Sequence, residues 1–157
     1  MIRAVRNKDA KDIQDLIFDI WHNEYGFDVK LEDVPDLEKI EEYYHDAGGL
    51  FLVALPGDKI IGTIAAEKLS TNDFALKRMF VNKDFRGKGI AQALLDALLL
   101  SFHDQKLSFF LSTKENEAIA AKKFYLKNGF VVIAKSELPA NFPFFYSDDL
   151  FMRRELL

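Results

Sequence analysis

The chain contains no cysteine. That excludes disulfides, thiolate nucleophiles and cysteine-ligated metals. Its three histidines, His22, His45 and His103, show no ligand-like spacing such as two histidines four apart, so no metal is expected. The G-x-S-x-G signature of serine hydrolases is missing as well, which argues against an acyl-enzyme built on Ser-His-Asp chemistry. No apolar run reaches the ~20 residues a bilayer span needs. The stretch after Gly89 comes closest, but Gln92, Asp96, Ser101 and His103 interrupt it. Nothing near the first residues resembles a signal peptide, so a cytoplasmic location and no membrane partner are expected. A positive surplus is also absent. The 21 Lys and Arg against 25 Asp and Glu leave a net charge of −4, with a pI near 5.4. This argues against nucleic acid and accords with a cationic amine as substrate.

What is present is a chain of 157 residues, 49% hydrophobic and 29% charged, which fits one domain over residues 1–157 with room for a sizeable core. Residues 2–5 read as a strand. Ala10, Ile13, Leu16, Ile17, Ile20 and Trp21 recur at helical spacing, with Asn7 or Asp9 as cap. Residues 23–35 read as loop. Asp36 is expected to cap a second helix with Leu37, Ile40 and Tyr44 inward, stopped at Gly48-Gly49. Strands are expected over 50–55, 60–68 and 74–81, joined by Pro56-Gly57-Asp58-Lys59 and Ser70-Thr71-Asn72-Asp73. A helix follows from Ile90 to about Phe102, then a strand over 107–112, a helix over 115–128 stopped by Gly129, and strands over 130–133 and 150–154. The order βααβββαβαββ implies a mixed α/β sandwich, mainly antiparallel, with helices on both faces.

The richest stretch is KRMFVNKDFRGKGIAQALL, residues 77–95: strand, basic glycine turn, apolar helix. A glycine turn at a helix start aims backbone N–H groups and the positive dipole end at an anion. Arg86 and Lys88 add charge to that cradle, which spans Arg86, Gly87, Lys88, Gly89, Ile90 and Ala91. The P-loop pattern fails, because Ile90 follows Gly89 where Lys is required. The dinucleotide pattern fails too: Gln92 stands where a small residue belongs, and no strand ending in Asp or Glu follows about 20 residues on.

A third pattern, Q/R-x-x-G-x-G/A, is met by Arg86, Gly89 and Ala91. With Leu76-Lys77-Arg78-Met79-Phe80-Val81 before it, the stretch resembles the acyl-CoA pyrophosphate loop of the GCN5-related N-acetyltransferases (GNAT). Phe124-Tyr125-Leu126-Lys127-Asn128-Gly129-Phe130 is similar to that family's F-Y-x-K-x-G-F helix end, and the element order is similar throughout. The resemblance implies acetyl-CoA as co-substrate, a strand splayed from its neighbour, and backbone contacts to pantetheine and thioester at Phe80 and Val81. It implies a leaving-group acid at Tyr125, whose phenol, with a pKa near 10, can protonate a nascent thiolate. The family's asparagine contact falls at Ala118 here, and Asn116 is its candidate replacement.

Glu67, near the end of the strand before the splayed one, matches the place where some relatives keep a base or a base-coupled water. Glu24 and Asp73 are weaker candidates. The aromatic tail, Phe142-Pro143-Phe144-Phe145-Tyr146, reads as an acceptor-pocket wall, a homodimer contact or a cover over one end of the core. The expected activity is direct acetyl transfer to a primary amine of a small molecule or peptide. The alternative is a non-catalytic acyl-CoA-sensing or regulatory module.

Overall fold

The computed structural model describes residues 1–116, 119–145 and 148–156. Seven strands form one sheet: β1 (Ile2–Ala4), β2 (Leu50–Ala54), β3 (Gly62–Lys68), β4 (Asp73–Val81), β5 (Leu107–Thr113), β6 (Val131–Ile133) and β7 (Leu150–Leu156), in the order β1-β2-β3-β4-β5-β7-β6. The pairings are antiparallel except for β4 with β5. The helices are α1 (Ala10–Asp19), α2 (Ile90–Leu100) and α3 (Ile119–Lys127). The expected mixed, mainly antiparallel α/β architecture is therefore the one observed. Among the described residues no helix is long and apolar enough to cross a membrane.

Both faces of the sheet are covered, and β2 shows how. Its residues alternate between two cores: Phe51 and Val53 pack with Ile13, Ile17 and Trp21 of the α1 side, Leu52 and Ala54 with Leu94, Leu95 and Leu98 of α2. This is the two-residue period of a strand serving two layers. At roughly 25 cal/mol per Å² of buried apolar area, such layers supply the main favourable term in folding. A third cluster joins Ala75, Phe110, Ile133, Phe142 and Phe151 at the β5–β7 end, and anchors the tail.

Two departures from the expected elements shape the site. After α1 the chain makes a turn of π-helix over Ile20–Glu24, with the Tyr25 N–H donating to the Ile20 carbonyl at 3.1 Å. That turn buries Trp21 and carries Glu24. The second helix is broken into a 3₁₀ turn at Pro35–Leu37 and a turn of π-helix at Glu41–His45. Asp36 lies inside the first of these and does not cap a helix: its carboxylate is buried and bonded to Tyr44 and Arg78. A buried carboxylate needs partners more than a helix start needs a cap.

Candidate active site

The β3–β4 ladder slips by one residue between Thr63 and Ala65, so β4 bulges opposite that step, at Arg78 and Met79. Arg78 sits in the bulge with φ 56°, the one positive-φ non-glycine among the described residues. A bulge leaves backbone unpaired and re-aims a side chain, and left-handed backbone is costly for arginine. The neighbours that hold it are identifiable. The Arg78 guanidinium donates to Asp36 at 3.0 and 2.9 Å. The Thr63 hydroxyl donates to the Arg78 carbonyl at 2.7 Å. The guanidinium also lies 5.2 Å from the Trp21 ring and 5.7 Å from that of Phe145. Burial works against both charges. For Asp36 the hydrogen bonds and charge of Arg78 outweigh it, so its carboxyl is held below the ordinary aspartate value.

β4 and β5 part before the bulge is reached. Their parallel ladder runs only through Asp73, Phe74 and Ala75 against Ser108, Phe109 and Phe110. Between the separated ends opens a cavity of about 330 Å³, lined on one side by β4 from Ala75 to Phe80 and on the other by Leu111, Ser112 and Thr113. Phe80 and Val81, expected to meet a thioester arm, stand at the end of β4 and pair with Thr63 and Gly62 of β3. The Val81 carbonyl accepts from Arg86 Nε at 3.0 Å.

The glycine turn lies past that strand end. Gly87 and Gly89 have φ 75° and 80°, and Gly89 caps α2, which starts at Ile90 as expected. An added Cβ at either glycine would meet nothing within 4 Å, so the space in front of the turn is open. The N–H groups of Gly87, Lys88 and Gly89 donate to no acceptor among the described residues. Unsatisfied amides at the start of an 11-residue helix suit a phosphate oxyanion, so these residues fit the pyrophosphate of a CoA. Arg86 donates to Glu24 at 2.7 and 3.0 Å, which ties the turn to the segment after α1 and commits the Glu24 carboxylate.

Tyr125 on α3 is buried, 8% exposed, and lines the cavity between β4 and β5. Phe124 and Phe130 hold its ring edge-on, each at 5.4 Å. Its hydroxyl makes no hydrogen bond among the described residues, and burial, followed by the proximity of Tyr25, pushes its pKa well above the ordinary tyrosine value. It stays a neutral donor across the physiological range.

The other candidates are dispersed. Glu67 is not on the cavity wall; its carboxylate accepts from Lys77 Nζ at 3.1 Å, and Lys77 is on the wall. Asp73 begins β4 at the end remote from the splay, paired with Ser108. Asn116 is exposed in the turn after β5 and off the cavity wall, and Ala118 lies outside the described residues. Phe142, Pro143, Phe144 and Phe145 line the cavity, while Tyr146 lies outside the described residues.

Three wall residues had no reading as site residues from the sequence. Asp36 passes for a cap. Arg78 follows Lys77 inside an apolar strand, and two consecutive charges there are the one local sign that a face is re-aimed. Asp148 sits in a loop without a motif. It receives the Ser112 hydroxyl at 2.7 Å.

Residues 47–132, more than half of the chain, match the family model of the acetyltransferase (GNAT) domain. An acetyltransferase of the GNAT family from Staphylococcus aureus Mu50 is 33% identical, with the match covering 100% of this chain and 99% of that one at a TM-score of 0.93. The N-acetylaspartate synthetase of Xenopus tropicalis is 38% identical over 101 residues, 60% of this chain and 36% of the relative. The N-acetyltransferase 8B of Homo sapiens is 30% identical over 109 residues, 66% of this chain and 47% of the relative. The chain thus spans less than half the length of these two curated relatives. The matched region includes the splayed strand, the glycine turn and Tyr125, and on it the assignment rests: this chain belongs to the GNAT acetyltransferase family.

Proposed function

We propose that the protein transfers an acetyl group from acetyl-CoA directly to a primary amine. The observation that carries this reading is the cavity between the parted ends of β4 and β5, with a neutral Tyr125 hydroxyl on its wall that no described residue engages. The glycine turn, Arg86 and Lys88 would hold the pyrophosphate, and backbone at Phe80 and Val81 would meet the pantetheine arm. Bound acetyl-CoA supplies the activated acyl group.

In the transfer an N–C bond forms from the deprotonated amine and the C–S bond breaks. Tyr125 gives its phenolic proton to the departing sulfur, and the proton lost by the amine must reach a base. Glu67 is the proposed acceptor, reached from the cavity through Lys77. Burial first, then the charge of Arg78, lowers the Lys77 pKa below that of an ordinary lysine, so Lys77 gives a proton inward to Glu67 more readily than a solvated one would, and the neutral Lys77 then takes the proton of the amine. Trp21, Phe80 and Phe145 crowd one wall and keep water from competing with the amine.

The test is release of CoA thiol from acetyl-CoA in the presence of a panel of amines, for the parent and for Tyr125→Phe. Turnover by the parent is expected, with a loss of roughly 100-fold in the variant and acetyl-CoA binding nearly unchanged. Tight acetyl-CoA binding with no turnover for any amine would favour an acyl-CoA-sensing module instead. A drop of less than about threefold in Tyr125→Phe would make Tyr125 a packing residue.

A further inference from the structure

The acceptor end of the cavity is decided by which of its charges are already spoken for. Three cations line it: Lys77, Arg78 and Lys114. Arg78 is bound at two points by Asp36, and Lys77 is bound by Glu67. Lys114 also has a partner, and its charge acts on Asp148. Against these cations stand four carboxylates, three on the wall (Asp33, Asp36 and Asp148) and Glu67 behind Lys77. Among the described residues the wall is therefore balanced in charge, and its two innermost cations are matched from within. At the inner end of the cavity, an acceptor carrying its own carboxylate would have to break one of those pairs to find a partner.

Asp148 differs from the other wall carboxylates. Asp36 is enclosed by Arg78 and Tyr44, and Asp33 accepts the Lys30 N–H at 2.9 Å and is exposed. Asp148 is half-buried, and Oδ2 accepts from Ser112 while Oδ1 has no hydrogen-bond partner among the described residues. The groups around it are Ser112 and Lys114 from the β5 side and Asp149 beside it. Burial, the largest influence, raises its pKa above the ordinary aspartate value, with Asp149 adding and Ser112 and Lys114 opposing. A cationic guest would offset that burial.

Apolar surface fills the remainder. Phe145 stacks on Trp21 with ring centres 5.0 Å apart, and Phe27 meets Phe145 edge-on at 6.2 Å. Phe144 lines the cavity and is 51% exposed, with Lys135 Nζ 4.8 Å from its ring centre and Phe142 and Phe151 packed edge-on, so an occupant meets the part of the ring these leave uncovered.

Resting on the transferase reading, we propose that the acceptor is a primary amine with an aromatic body and no carboxylate, its ammonium drawn in by Asp148 Oδ1 before the nitrogen gives up a proton toward Lys77, and its ring laid against the Phe144–Phe145 wall.

The probes are 2-phenylethylamine, phenylalanine (the same body with a carboxylate) and aspartate, titrated calorimetrically into the protein saturated with CoA. 2-Phenylethylamine is expected to bind at least about tenfold more tightly than either amino acid. Asp148→Asn should remove at least about tenfold of that affinity and Asp148→Glu should recover part of it. An unchanged CoA affinity shows that both variants are folded. Equal or tighter binding of phenylalanine or aspartate overturns the proposal, as does an Asp148→Asn protein that holds 2-phenylethylamine as well as the parent. Thiol release is read separately. Binding of 2-phenylethylamine as described without turnover would sink the transferase reading alone. Acetylation of aspartate by a protein that does not bind 2-phenylethylamine would sink the acceptor class alone.

Discussion

Arg78 and Asp36, 42 residues apart in sequence, meet at two points in the interior, Nε to Oδ2 at 3.0 Å and Nη2 to Oδ1 at 2.9 Å. Their side chains are 8% and 3% exposed. The pair fastens the segment after α1 to the bulge of β4, and so fixes the β4 wall of the cavity. Such a pair adds little net stability over an apolar replacement, but removing one partner leaves a buried charge at a cost of about 3–5 kcal/mol.

The left-handed backbone at Arg78 makes a prediction that separates side chain from backbone. Both Arg78→Ala and Arg78→Gly abandon Asp36, and both should be strongly destabilised in urea. In an ordinary strand the glycine variant would be the weaker one. Here φ is 56°, so Arg78→Gly should be the more stable of the two by roughly 1 kcal/mol. The reverse order would mean that the bulge relaxes once the ion pair is gone.

Acid should weaken the fold through the same carboxyl. The hydrogen bonds and charge of Arg78 keep Asp36 below its ordinary value in spite of burial. The unfolded chain therefore takes up the proton first as pH falls, and the contribution is complete above the unfolded aspartate pKa and is lost as pH drops through the folded one. Asp9, held down chiefly by its hydrogen bonds to Arg3, acts in the same direction. The stability difference between the parent and Asp36→Asn, measured by denaturant titration, should narrow from about pH 5 to about pH 2. A difference that stays constant over that interval would show that Asp36 is not the titrating group.

The cofactor cradle is testable at Gly89. Its positive φ disfavours any side chain, and a Cβ there meets no protein atom. A Gly89→Val protein should carry local backbone strain at the turn but no clash of its Cβ with a packed side chain, so it should still fold, with the side chain obstructing backbone approach to a pyrophosphate. CoA affinity should fall at least ~10-fold, about 1.4 kcal/mol. Unchanged affinity by calorimetry would remove the turn from the CoA site.

The order of elements, the glycine turn and the placement of Tyr125 were legible because each rests on local chemistry: period two or 3.6, a left-handed glycine, an aromatic helix end. Residues 115–128 likewise yield α3, described from Ile119 to Lys127. The bulge was not legible. It depends on how β3 and β4 register, and the consecutive charges of Lys77 and Arg78 hint at a re-aimed face without locating a bulge. Asp36 was misread for the same reason, since its partner lies in another layer. Asp148 enters the cavity through the tertiary contact with Ser112, across 36 residues. Glu24 looked like a base candidate because sequence does not reveal that Arg86 binds it at two points.

The base is where pH discriminates most sharply. An aliphatic amine is mostly protonated at pH 7, so its proton must leave before attack. Glu67 holds Lys77 at 3.1 Å, and both are 17% exposed, so Lys77 can give one proton to Glu67 and take the proton of the amine in its place, shielded from bulk water. Glu67→Gln keeps the shape and removes the charge. Turnover of the variant should fall most at low pH, where the amine arrives protonated, and the gap to the parent should close toward pH 9, where an increasing share arrives neutral. The Lys77 pKa should also fall further once its carboxylate partner is gone, since that partner favours the charged form. A variant profile parallel to the parent's from pH 6 to pH 9 would take the base role from Glu67. The proton would then pass to Asp148 or to bulk water, and a closing gap in Asp148→Asn would identify the first, a parallel profile the second.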